Sequence, residues 1–195
     1  GFREPFQLAG ASFGGLVAFE MARQFESAGK EVSFVGLLDT YASQVEQDDD
    51  DAGLLWALFE EDIDLSLDYL RTLEPEELLN YVIKQAKDAH LLPPDFGAER
   101  FRLILQMTKI SVRASMHYNP GHYKGKVVLF RAKGSTNENQ DNTLGWKDIL
   151  SENFEVKFVP GSHQNMFREP HVGVLVESLK EYMMGERKDT GQVFS

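Results

Sequence analysis

Five residues near the start, Gly10-Ala11-Ser12-Phe13-Gly14, constrain this chain most, because they join an apolar strand-like run to a strongly helical one. Phe6-Gln7-Leu8-Ala9-Gly10 reads as a strand, and Gly14 to Phe25 reads as a helix with Leu16, Phe19, Ala22 and Phe25 on one apolar stripe. A tight turn between them lifts the Ser12 hydroxyl clear of a sheet, the geometry of a nucleophile elbow. Glycine on either side answers a steric demand: the turn is strained and the helix packs close to the strand, so a Cβ at Gly10 or Gly14 is expected to clash. The competing reading is a glycine-rich turn carrying an ordinary serine. A third glycine, Gly15, and the helical stripe that follows argue against it.

Gly29-Lys30 closes the helix, and Glu31 to Leu38 is a near-continuous apolar run that ends at Asp39. Such a run fits a parallel strand covered by helices on both faces. From Tyr41 to Tyr118 the alternation stops: Leu54 to Phe59, Pro75 to Ile83 and Ala98 to Met116 are three helical patterns with no strand between them. This stretch reads as an inserted helical lid. The run Asp48 to Asp51 at its start is a solvated loop and helix start rather than a metal site, since consecutive side chains point apart. Alternation resumes with a strand at Lys126 to Ala132, a short helix at Leu144 to Leu150 and a strand at Glu155 to Val159 that runs into Pro160-Gly161-Ser162-His163. A final helix from Pro170 to Met184 carries Val172, Leu175, Val176, Leu179 and Met183 on one stripe, and the tail from Gly185 is polar. The predicted class is α/β, a mostly parallel sheet flanked by helices, with a core at residues 1–40 and 119–195 and the helical lid at 41–118.

A chain of 195 residues suffices for one such domain with an insertion, and its net charge of −11 argues against nucleic acid or an anionic membrane as the main partner. The absence of cysteine removes disulfides, thiolate metal sites and a thiol nucleophile, and suits a cytoplasmic location. No apolar run approaches the roughly 20 residues of a membrane span, and no signal peptide is visible.

A serine hydroxyl needs a base within hydrogen-bond reach, and the base needs an acid to orient it. Asp39 follows the strand after the elbow helix, which puts it at the same carboxyl end of the sheet as Ser12. His163 follows the last strand at that end, where open α/β sheets assemble their sites. Ser12, Asp39 and His163 are therefore the candidate nucleophile, acid and base. Glu138 and Asp141, in the loop after the Val127 to Ala132 strand, are the rival acids, whereas His90, His117, His122 and His171 read as surface or capping residues. The backbone N–H of Phe13 is the candidate oxyanion donor.

Three blocks, Leu8 to Ala22, Val35 to Thr40 and Gly161 to Val172, together resemble the type I thioesterase domains that end polyketide synthases and nonribosomal peptide synthetases. Trp146, in Leu144-Gly145-Trp146, fits the same pattern. The resemblance implies an α/β-hydrolase fold with a helical lid and places the acid at Asp39. It implies that Ser12 attacks a thioester borne on the phosphopantetheine arm of an acyl or peptidyl carrier protein, with no cofactor bound by the domain. Release of the acyl-Ser12 ester follows by hydrolysis or by cyclisation. The family has further strands before the elbow, one of which completes the oxyanion hole. The chain is thus expected to be N-terminally truncated, with the elbow strand left as an edge that a second copy, as a homodimer, or a missing segment covers. Two other readings stand beside this one: an ester hydrolase of the same fold, and an inactive docking or dimerisation module. Phe59, Leu103, Met107, Ile110 and Met116 of the lid are candidates to line an acyl chamber, or are plain core.

Overall fold

A computed structural model describes residues 4–42, 50–135, 141–150 and 153–184; Glu138, Asp48, Asp49 and the tail from Gly185 lie outside them. The chain divides into two compact units, one of Gly1–Ser43 with Asn119–Ser195, the other Gln44–Tyr118.

The first unit is built on four parallel strands in the order β1 (Phe6–Ala11), β2 (Val32–Leu38), β3 (Val127–Ala132) and β4 (Phe154–Val159). Their registers align Ala11 with Leu38, Leu38 with Phe130 and Ala132 with Val159, so the carboxyl ends of all four strands finish together. β1 stands at the end of this order and largely alternates half-buried with exposed positions, whereas Phe34 to Leu37 of β2 and all of β3 are buried. Helix α1 (Phe13–Ser27) packs on β1 and β2 through Leu16, Ala18, Phe19 and Ala22. Phe19 meets the buried Trp146 ring edge-on at 4.6 Å. Burying an aromatic pair in this way adds about 0.5–1.5 kcal/mol to the area effect. Phe34, Val128, Phe130, Ala132, Val159 and Met166 form a second cluster with Leu175 of helix α6 (Val172–Met183).

Two expectations fail here. The helix predicted over Leu144 to Leu150 shrinks to one 3₁₀ turn at Trp146–Asp148, because Gly145 sits at φ 82° and breaks the helical path. In α6 the inward stripe is Leu175, Ser178, Leu179 and Tyr182, while Val176 and Met183 face out. Tyr182 takes the place of the predicted Met183 by stacking on Phe34.

The second unit is helical: α2 (Asp51–Phe59), α3 (Leu67–Leu70), α4 (Pro75–Asp88) and α5 (Ala98–His117). Leu55, Leu70, Val82 and Phe101 centre its core. Asp50 caps α2 by accepting from the Gly53 N–H at 2.6 Å, and Pro75 opens α4 at the position where a missing N–H costs nothing. The four-residue α3, capped by Ser66, is too short to show a periodicity. Phe59 belongs to the core of this unit, and Leu103, Met107 and Ile110 of α5 are exposed. Among the described residues no helix is long and apolar enough to cross a membrane.

Candidate active site

Ser12 stands between β1 and α1 with φ 49° and ψ −124°, a conformation that L residues rarely hold. Strain of this kind costs about 1–3 kcal/mol and persists only where the surroundings impose it. Its N–H donates to Leu38 O at 3.0 Å and its carbonyl accepts from Gly15 N–H at 3.0 Å, which pins the turn to the end of β2. Ser12 precedes a helix, yet its hydroxyl makes no capping bond. The ordinary reason for a serine at a helix start is thus missing.

The glycines that permit the turn are not the pair expected. A Cβ on Gly10 would run into the carbonyl of Gly14, and a Cβ on Gly15 would run into the Thr40 side chain. A Cβ on Gly14 would meet no atom within 4 Å. The close approach of helix to sheet falls one residue later than the motif suggests. Phe13 opens α1, so its N–H is one of the first-turn donors that no intrahelical carbonyl takes up.

Asp39 and His163, far apart in sequence, meet at the carboxyl end of the sheet. Asp39 is 1% exposed and has φ 46°. Its Oδ2 lies 2.9 Å from His163 Nδ1. Its Oδ1 accepts from Arg131 Nη1 at 2.5 Å and from the Ala132 N–H at 3.0 Å. Burial pushes the Asp39 carboxyl up, but the hydrogen bond from His163, the Ala132 N–H and the Arg131 guanidinium together bring it below the ordinary carboxylate range. A carboxylate can only accept, so Nδ1 of His163 carries the proton of that bond, which in the neutral ring leaves the lone pair on Nε2.

The loop that carries His163 is tied on both sides. Its N–H donates to Ser135 Oγ at 2.7 Å, and Gly161, at φ 90°, accepts from Gly134 N–H at 2.7 Å. Asn165 and Ser162 exchange bonds of 2.8 and 3.2 Å beneath it. Trp146 donates from Nε1 to the carbonyl of Thr40 at 2.7 Å and so holds the segment just beyond Asp39. Among the described residues no hydrogen bond joins Ser12 Oγ to His163.

Asp141, offered as a rival acid, spends its carboxylate on Thr143 and on the Gly145 N–H, within its own turn. His122 bonds to the Ile149 carbonyl, His171 opens α6, His117 ends α5 and His90 follows α4. Arg131 is the site residue that sequence reasoning passed over. A register count would have found it: Leu37 pairs with Leu129, and two residues on, Asp39 falls beside Arg131 on the same face.

A family model described as thioesterase domain matches residues 2–181. Among curated relatives, an atromentin synthetase of Tapinella panuoides is 31% identical over 86% of this chain and 19% of its own length. An inactive atromentin synthetase of Paxillus involutus is 26% identical over the same shares. The chain therefore spans about a fifth of the length of these curated relatives. Among solved structures, a four-domain nonribosomal peptide synthetase bound to AMP and glycine superposes with a TM-score of 0.73 at 26% identity, over 89% of this chain and 14% of that one. The NocB thioesterase domain, in a covalent complex with a fluorophosphonate nocardicin G analogue, gives 0.64 at 24% identity over 93% and 67%. The fold is that of the α/β-hydrolase thioesterase domains.

Proposed function

This chain belongs to the thioesterase-domain family, and on that premise we propose that it releases an acyl, polyketide or peptidyl chain from the phosphopantetheine thioester of a carrier protein, through an ester on Ser12. The observation that carries this reading is the Asp39 Oδ2 to His163 Nδ1 contact of 2.9 Å at the end of the sheet where Ser12 is held in its strained turn.

His163 Nε2 takes the Ser12 proton as Oγ attacks the thioester carbonyl. The Phe13 N–H faces the negative charge that develops on the carbonyl oxygen, an interaction whose loss costs on the order of 100-fold or more in rate. Collapse expels the pantetheine thiolate, which leaves with the proton from His163. Water, or a hydroxyl or amine of the chain itself, then attacks the acyl-Ser12 ester with His163 again as base, and the acyl–Oγ bond breaks as Ser12 Oγ takes that proton back from His163. Asp39 stays a carboxylate throughout and stabilises the imidazolium. Substrate-free sites often hold the nucleophile and base too far apart, and the bond tightens in the complex. The residues at 41–118 are the lid in this reading, and the cytoplasm, where carrier-bound chains are built, is its location.

Relatives named inactive favour a second reading, a module that folds without serine chemistry. Incubation with an acyl-pantetheine thioester and with the matching oxygen ester, followed as thiol and alcohol release, tests both. Thiol release that Ser12→Ala abolishes is the expected result. Release from the oxygen ester alone would make the chain a general ester hydrolase, and no release from a folded sample would favour the module.

A further inference from the structure

β3 puts a full charge inside an apolar strand. All six of its residues, Val127-Val128-Leu129-Phe130-Arg131-Ala132, are buried, and Arg131 is 0% exposed. A buried guanidinium is costly unless its charge and its donors are met, and a hydrophobic residue of like volume often serves stability as well or better. Packing alone does not call for arginine here.

What Arg131 touches suggests why it is there. Nη1 donates to Asp39 Oδ1 at 2.5 Å, and Nη2 donates to the Ser135 carbonyl at 2.9 Å. Ser135 is the residue whose Oγ accepts the N–H of His163. With Ala132 N–H also on Oδ1, only Oδ2 of Asp39 is left for His163. One planar fork thus ties the residue after β2 to the turn after β3, and through Ser135 to the loop after β4. A lysine ammonium lacks that fork.

We propose that Arg131 is the positioning residue of this site, holding Asp39 by one oxygen so that the other is presented to His163 Nδ1. The proposal rests on the reading of Asp39 and His163 as acid and base. Arg131 touches no substrate. It acts through Asp39, by orientation and by keeping the carboxylate charged. Among the described residues, the charged and titratable groups facing Asp39 are Arg131 and His163. His171, whose ring lies against Gly161, is the further titratable group near the His163 loop.

The test compares the parent with Arg131→Gln, Arg131→Lys, Asp39→Asn and the double variant Asp39→Asn/Arg131→Gln. One readout is the titration of the Asp39 carboxyl carbon by NMR, and the other is the rate at which a fluorophosphonate labels Ser12. Arg131→Gln should raise the Asp39 midpoint, since a neighbouring guanidinium favours the charged carboxylate. It should slow labelling on the order of 10- to 100-fold through lost orientation. Arg131→Lys should return the titration and only part of the rate. In the Asp39→Asn background, Arg131→Gln should cost less than about twofold, because its route of action is already gone. An Asp39 midpoint unmoved in folded Arg131→Gln overturns the proposal, and so does a labelling loss of equal size with and without Asp39. Should Arg131→Gln fail to fold, Arg131→Lys decides: slowed labelling supports the proposal and the parent rate overturns it. A parent that is not labelled sinks the proposed function instead, and the Asp39 titration then judges the role of Arg131 alone.

Discussion

The two halves of the candidate site are held in place by opposite means. Asp39 and the His163 loop are held by hydrogen bonds: the carboxylate has three donors, and the histidine loop is tied through Ser135, Gly134 and Asn165. Ser12 has a backbone forced into φ 49° and a hydroxyl that caps nothing. Bonding orients groups that must not move relative to each other. Strain suits a group that, in the proposed function, stays unattached until substrate arrives. The proposed acid and base are thus positioned by satisfied polarity, and the proposed nucleophile by a strained turn that Gly10 and Gly15 permit.

The sharpest way to break that contrast is to remove chemistry from each half. Ser12→Ala should abolish acyl transfer, and Asp39→Asn should lower it by about 10⁴-fold, as loss of an orienting acid does. Thiol release from an acyl-pantetheine thioester measures both. An Asp39→Asn variant within tenfold of the parent would show that the bonded half is not part of the machinery.

Next come the glycines. Gly10→Ala and Gly15→Ala should each destabilise by about 1–3 kcal/mol or more, as overpacking does. Gly14→Ala, which meets open space, should instead stabilise by about 0.5–1 kcal/mol, the gain from replacing glycine inside a helix. Urea unfolding of the three variants checks the order. Equal losses at all three would mean that the turn is not held where the contacts place it.

Ser12→Gly sharpens the comparison from the other side. Glycine adopts the Ser12 conformation freely, so the variant should gain about 1–3 kcal/mol while losing all reactivity. A stability gain from deleting the proposed nucleophile would identify the turn as a place where stability has been given up for function. Unchanged stability would remove the claim of strain.

The smallest expected effect is on pH. The Asp39 pKa in the folded chain lies below its unfolded value of about 4. Its stabilisation is therefore complete above about pH 4 and is lost as pH falls through the lower, folded value. Unfolding free energies of Asp39→Asn should vary less than the parent's over that acid window and run parallel to it above.

How much of this was legible in the sequence follows from which features are local. The Ser12 turn was readable because strand, glycines and helix lie within twenty residues, and Asp39 and His163 because each follows an apolar run. The structure brings those two together, as a common carboxyl end requires. Arg131 was hidden because a lone cation within a strand pattern gives no sign of its partner, and only the β2–β3 register reveals what stands beside it. The Gly14 expectation failed for a similar reason. Five residues of motif cannot say that the contact with Thr40 falls on Gly15. In α6 the buried Ser178 misled the apolar count, since periodicity scores side-chain type and not the direction in which the helix happens to face.

In the proposed function Ser12 is a nucleophile activated by His163. The most direct measurement is the intact mass of the chain after exposure to a fluorophosphonate, with Ser12→Ala and His163→Ala beside it. One adduct, mapped to Ser12 and absent from both variants, is the expected result. No adduct on a folded sample, or an adduct that forms in His163→Ala at the parent rate, would contradict it.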